Sequence, residues 1–149
     1  GVSLRQKSLE AESVTLGSVI ATLNSYAGEL LTAFFPYDPI LVEVLPYKTT
    51  KKDGTRKPQI STRVEYKGSE TDLSSLSSGE RDRVVLAFSL AIQQMQGGNI
   101  VLLDECTSSL DAEHTTHVFE KIQEILQGKC VLIVAHQIVQ GIFDDVMEL

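Results

Sequence analysis

The chain has 149 residues, 42% apolar and 22% charged, enough for one globular domain with a real core. No apolar run approaches the roughly 18–20 residues of a membrane-spanning helix, and Gly1 to Lys7 lacks the apolar stretch of a secretory leader. The net charge of −7 is uneven: residues 1–67 hold nine Lys/Arg against seven Asp/Glu, residues 68–149 four against thirteen. That balance excludes a basic nucleic-acid binder by composition and leaves only local contact with a polyanion.

An amphipathic helix comes first. Leu16, Val19, Ile20, Leu23, Ala27, Leu30, Leu31 and Phe34 recur at three- and four-residue steps, and Pro36 ends the pattern. The polar, charged stretch 3–13 reads as the end of a longer helix continuing upstream. Next, Ile40–Leu45 and Ile60–Tyr66 alternate around Asp53-Gly54, a hairpin turn signal. Residues 40–67 are expected to form an antiparallel hairpin with a basic tip of Lys48, Lys51, Lys52, Arg56 and Lys57. That tip is either solvated or a contact for a nucleic-acid backbone.

A second helix is expected from residue 79, with Val84, Val85, Phe88, Leu90, Ala91, Ile92 and Met95 as its apolar set and Gly97-Gly98 as its stop. Ile100–Leu103 follows as a wholly apolar strand, read as buried on both faces and typical of a parallel sheet. Asp111 to Leu126 is a third helix with Val118, Phe119, Ile122, Ile125 and Leu126 on one face. Cys130–Ala135 is another apolar strand ending at His136. Helix, strand, helix, strand at this spacing is an α/β unit with parallel strands. The two cysteines, Cys106 and Cys130, have no metal-ligand spacing, and a reducing compartment suits them.

Ser77-Ser78-Gly79-Glu80 opens the second helix. Small residues there let backbone N–H groups approach a phosphate at the positive helix end; the same residues are also an ordinary helix cap. Asp104 and Glu105 end the first apolar strand, where open α/β sheets bind ligands. Asp104 can hold Mg²⁺ through its carboxylate oxygens, and Glu105 can orient and deprotonate water. Two loop carboxylates capping the next segment is the plainer reading. Thr107 to Asp111 reads as a polar loop ending in an N-cap Asp. If the two apolar strands are parallel neighbours, His136 lies beside Asp104 and Glu105.

Taken in order, Leu76-Ser-Ser-Gly-Glu-Arg81, Ile100-Val-Leu-Leu-Asp-Glu105, Thr107-Ser-Ser-Leu-Asp111 and Val131-Leu-Ile-Val-Ala-His136 resemble the C-terminal half of an ABC-type ATPase head. They are similar to its signature motif, Walker B strand, D-loop and switch histidine, and the resemblance covers residues 68–149. The helix and hairpin upstream, with Glu80 where transporters more often carry Gln, point to the SMC-like branch near the ATPase of the SbcC–SbcD nuclease. Ser78 stands where that family usually has Gly, and Cys106 where it commonly has Pro.

The resemblance implies the following expectations. Residues 1–149 form one lobe: helix 1–36 emerging from a coiled coil, hairpin 40–67, and an α/β part 68–149. An N-terminal lobe of the same protein supplies the Walker A loop, which this chain lacks. Two heads sandwich two ATP molecules with Mg²⁺ as a homodimer. Ser77, Ser78, Gly79 and Glu80 face the nucleotide of the opposite head, and Asp111 links the two sites. Asp104 supports the metal, Glu105 activates water, and His136 contacts the γ-phosphate or that water. Further partners are DNA and a nuclease subunit in double-strand-break repair, with no membrane, in an intracellular protein of the cytoplasm, nucleoid or nucleus. The alternatives are an SMC-type chromosome-organising ATPase, a helicase-like motor built on Asp104-Glu105, and a non-catalytic interaction module.

Overall fold

A computed structural model describes residues 3–50 and 52–148. Lys51 of the basic tip and the ends of the 1–149 range lie outside the described residues. The elements run α1 (Leu4–Phe34), β1 (Ile40–Thr49), β2 (Arg56–Tyr66), β3 (Ser69–Thr71), a 3-10 turn (Leu73–Ser75), α2 (Ser78–Gln96), β4 (Ile100–Asp104), α3 (Ala112–Ile125) and β5 (Cys130–Val134).

The segment 3–13 joins residues 16–34 in a single helix of 31 residues, about 46 Å at 1.5 Å per residue. It starts at Leu4 because Ser3 and Gln6 form a reciprocal capping box. Its C-terminal half is packed: Ile20, Ala27, Leu30, Leu31 and Phe34 are buried, whereas Leu16 and Val19 are exposed. Asn24 fastens this half to the hairpin. Its amide nitrogen donates to the Val44 carbonyl and its carbonyl accepts the Val44 N–H, both at 2.9 Å, which closes the outer edge of β1.

β1 and β2 pair antiparallel from Ile40↔Tyr66 to Thr49↔Arg56, with an irregularity between Leu45 and Tyr47. The proline between them donates no ladder bond, so the register slips there. The turn closes through Thr50 N–H to Thr55 O and Gly54 N–H to Thr50 O, with Gly54 at φ +67°. A third strand, β3, extends the sheet, a short element for which no alternation is visible in the sequence.

α2 buries Val84, Leu86, Ala87, Leu90 and Ala91. Val85 and Ile92, expected on the packed face, are exposed instead. They lie two turns apart on one stripe, which points away from α1. β4 and β5 are parallel neighbours, Ile100↔Cys130 through Asp104↔Val134, joined by α3. The expectation that β4 is buried on both faces fails: Val101 and Leu103 face the core at 2% and 5% exposure, but Ile100 and Leu102 stand open at 61% and 65%. Leu132 and Val134 are open on the same face of β5. The two-stranded sheet carries helices on one side only, so alternate residues have nothing above them.

Candidate functional site

Ser77 caps α2 as both a cap and a scaffold. Its hydroxyl oxygen accepts the Glu80 N–H at 3.2 Å, and the Glu80 carboxylate accepts the Ser77 N–H at 2.8 Å. The second Glu80 oxygen accepts the Tyr66 hydroxyl at 2.8 Å, tying the helix start to the end of β2. Burial opposes ionisation of Glu80, but the bonds from the Ser77 backbone, Tyr66 and the Ser77 hydroxyl outweigh it and hold the carboxyl below its usual range. Tyr66 moves the other way: burial and the bond to Glu80 push its hydroxyl up.

Gly79 is needed for a close approach. A Cβ there would sit 3.1 Å from both Leu110 Cδ2 and the Ser109 carbonyl oxygen. The loop 107–111 therefore packs directly on the first turn of α2. It is held further by the Ser109 N–H, which donates to Asp82 at 3.3 Å. Asp111 caps α3, accepting the His114 N–H and lying 2.8 Å from His114 Nδ1. Those bonds, the backbone one first, keep its carboxyl below the usual range.

Ser77, Ser78, Gly79, Glu80 and Asp111 thus line one cleft of about 730 Å³. Arg83, Tyr66 and His117 share it, and the sequence reading missed all three. Arg83 Nη1 donates to the Phe34 carbonyl at 2.9 Å, its Nε to the Gly79 carbonyl at 3.3 Å, and its guanidinium lies 4.1 Å over the Phe35 ring. His117 Nε2 donates to the Ala33 carbonyl at 2.9 Å. The last turn of α1 is therefore capped by side chains from α2 and α3. A cation in the otherwise apolar run after Asp82 was the available signal for Arg83.

A second cluster sits at the end of the parallel sheet. Glu105 N–H donates to the Val134 carbonyl at 2.8 Å, extending the β4–β5 ladder by one bond. Its backbone is left-handed, φ +46°, which a non-glycine residue adopts at a cost of about 1–2 kcal/mol. That turn brings Glu105 Oε1 to 2.9 Å from His136 Nε2. Both side chains are open, 51% and 81% exposed. Asp104 ends β4 in the parity of Ile100 and Leu102, on the open face of the sheet. Neither Glu105 nor His136 lines the cleft around Ser77. The chain thus presents two separate clusters of polar side chains.

The acceptors fit Mg²⁺ in type, being carboxylate oxygens. No group of three or more metal-ligating side chains converges among the described residues. Mg²⁺ commonly takes one or two carboxylates and completes its shell with phosphate oxygens and water, so Asp104 suits a metal that arrives with a nucleotide. Cys106, beside these acids, is pushed up to about 11 by burial and stays a thiol at neutral pH.

No family model matches the chain. It is 41% identical over 143 residues to uncharacterized protein 094L of Invertebrate iridescent virus 3, covering 94% of this chain and 17% of that protein. It is 36% identical over 157 residues to uncharacterized protein 050L of Invertebrate iridescent virus 6, covering 99% and 15%. The chain thus spans about a sixth of these relatives. A shorter match, 38% over 72 residues, is to the phosphate import ATP-binding protein PstB of Staphylococcus saprophyticus, 48% of this chain and 23% of that one. Among solved structures it resembles one from work on ATP-driven dimerization and DNA-stimulated activation of SMC ATPases, at 15% identity and a TM-score of 0.65, over 83% of this chain and 72% of that one. It also resembles the SMC head domain of Thermotoga maritima, at 20% identity and 0.54, over 78% and 38%. These likenesses establish the fold: an α/β head of the SMC and ABC ATPase type, with a parallel sheet and an antiparallel hairpin. No helix among the described residues is long and apolar enough to cross a membrane.

Proposed function

We propose that this chain is the C-terminal lobe of an ATP-hydrolysing head that works as a pair, each head completing the nucleotide site of the other. The observation that carries the reading is the separation of the two half-sites. Glu105 and His136 meet at 2.9 Å at the sheet end, while Ser77–Glu80 and Asp111 line a different cleft. The reading assigns the two clusters to different nucleotides: two heads facing each other would bring Ser77 and Gly79 of one to the γ-phosphate held by the other.

In this mechanism Glu105 accepts a proton from water as the water oxygen attacks the γ-phosphorus. The bond from that phosphorus to the ADP oxygen breaks, leaving ADP and phosphate. His136 holds the Glu105 carboxylate toward the reacting water. Asp104 would hold Mg²⁺, which when bound with the triphosphate neutralises its developing charge. Ser77, Ser78 and the N–H groups at the start of α2 donate to phosphate oxygens, with the helix end adding partial positive charge. Gly79 lets the loop 107–111 approach, so a phosphate at the cleft is felt by Asp111 on the way to the second site.

The work done with this engine is read from the SMC likeness: ATP engages the heads, hydrolysis releases them, and α1 carries the movement into a coiled coil acting on DNA. Its finer form, end processing beside a nuclease subunit, rests on the motif resemblance near SbcC–SbcD. A second reading, chromosome organisation, is favoured by one observation: the structural neighbours are SMC heads, one of them bound to the C-winged helix domain of ScpA.

Mixing variants of the full-length protein tests the paired site. Glu105→Gln should lower turnover by about 10²-fold or more and leave ATP-dependent dimerisation intact. Ser77→Arg should also abolish turnover. An equal mixture of the two should recover roughly a quarter of wild-type activity, because half of the dimers then hold one intact composite site. No recovery on mixing, or full turnover by Glu105→Gln alone, would sink the reading.

A further inference from the structure

The charge of the β1–β2 hairpin divides along its length. At the base every cation has an acid: Arg63 pairs with Glu43 at 3.6 Å and Glu65 at 3.4 Å, and Lys67 with Asp38 at 3.6 Å. At the tip, Lys48, Lys52, Arg56 and Lys57 are exposed, and among the described residues none has a carboxylate within ion-pair distance. The one acid there, Asp53, is engaged by the turn itself, accepting the Thr55 N–H at 3.1 Å.

The register makes this arrangement costly in isolation. Lys48 stands directly opposite Lys57, and like charges facing across a strand pair repel. Side chains alternate between the faces of a strand. Lys48 and Lys57 therefore project on one face, and Arg56, with Thr49 opposite it, on the other. Arg56 is already ordered there, its guanidinium 4.4 Å over the Tyr47 ring. The tip is a two-stranded ribbon with cations on both faces.

Cations on both faces do not suit a flat anionic surface, which would meet one face only. They suit a groove with a phosphate wall on each side. The major groove of B-form DNA, about 12 Å wide, admits a two-stranded ribbon, while the deep, narrow major groove of A-form RNA does not. From this geometry we infer that the hairpin tip is a DNA-binding element that enters the major groove of a duplex, with Lys48 and Lys57 reaching one phosphate wall and Arg56 the other. The contacts are to the backbone and carry no base preference. This deepens the DNA part of the proposed function and requires no nucleotide, so it stands or falls apart from the ATPase reading.

The test is binding of the full-length protein to a 30-base-pair duplex without ATP, by fluorescence anisotropy over a range of salt. The variant Lys48→Gln/Lys52→Gln/Lys57→Gln should make the slope of log affinity against log salt shallower by about two to three, since each lost phosphate contact removes about 0.9. The base variant Arg63→Gln/Lys67→Gln, which removes compensated charges, should leave the slope near wild type. Basal ATP turnover without DNA should be unchanged in the tip variant. Lys48→Gln alone, with an expected change of about one, keeps the test available if the triple variant unfolds. An unchanged slope in the tip variants overturns the inference, as does an equal change in the base variant. Binding to phosphatidylserine vesicles with no binding to the duplex overturns it as well, and binding to double-stranded RNA as tight as to DNA removes the groove.

Discussion

Glu80 shows how much one side chain can be asked to hold. Its carboxylate receives the Ser77 N–H and the Tyr66 hydroxyl, joining the start of α2 to the hairpin. Because its folded-state pKa is lowered, the stability it contributes is fully present above the ordinary glutamate value of about 4.3 and is lost as pH falls through the folded value. Glu80→Gln should flatten that acid limb: between about pH 7 and pH 3 the urea midpoint of the variant should fall less than that of wild type. An identical fall in both would mean that Glu80 is not the titrating group. Glu105 illustrates a different demand on a residue. Its left-handed backbone costs stability and is what brings its carboxylate to His136.

Among the elements, α1 depends most on its neighbours. Its last turn contains no basic residue of its own. Carbonyls of that turn left without a helical partner are satisfied instead by Arg83 from α2 and His117 from α3, in part-buried bonds. Burial lowers the Arg83 pKa from its ordinary value, against the pull of Glu80 and other nearby groups, but a guanidinium remains charged at any physiological pH. Arg83→Met keeps the aliphatic packing and removes both donors. It should destabilise the chain by about 1–3 kcal/mol, the range for a buried acceptor left without a partner, as read by chemical denaturation. A variant within about 0.5 kcal/mol of wild type would show that water replaces the guanidinium without loss. The same contacts join the first turn of α2, through the Gly79 carbonyl, to the end of α1. Movement at the start of α2 therefore has a short mechanical path to the long helix.

For the whole molecule the open face of β4–β5 is the main fact. Ile100, Leu102, Leu132 and Val134 are each more than half exposed there, and Asp104 shares their side. A contiguous apolar face on a parallel sheet normally has a covering layer, and the proposed N-terminal lobe would supply it. Cys130 reports on this, since it pairs with Ile100 in the register and is exposed. In the isolated chain at neutral pH a thiol reagent should label Cys130 and spare Cys106, whose thiol is held up at about 11 by burial. In the full-length protein Cys130 should become protected, as peptide mapping would show. Equal labelling of Cys130 in both forms would mean that something other than the proposed lobe meets that face.

The local elements were legible because each has a short-range cause. Three-to-four periodicity marks α1, α2 and α3, with capping residues for the last two, Asp53-Gly54 marks the hairpin turn, and the apolar runs 100–103 and 130–135 mark the parallel pair. The order of those pieces also indicated the head fold that the structural likenesses establish. Burial was less legible. Periodicity placed Val85 and Ile92 in the core, because it reports that a side chain is apolar and not whether anything lies above it. The sequence by itself determined which residues could carry phosphate, metal and proton chemistry. Only the tertiary structure decided that Glu105 meets His136, that Gly79 meets the loop 107–111, and that the first pair lies outside the cleft lined by Ser77–Glu80 and Asp111. The reason is physical: such contacts join residues tens of positions apart, and packing, not local propensity, sets which of them meet.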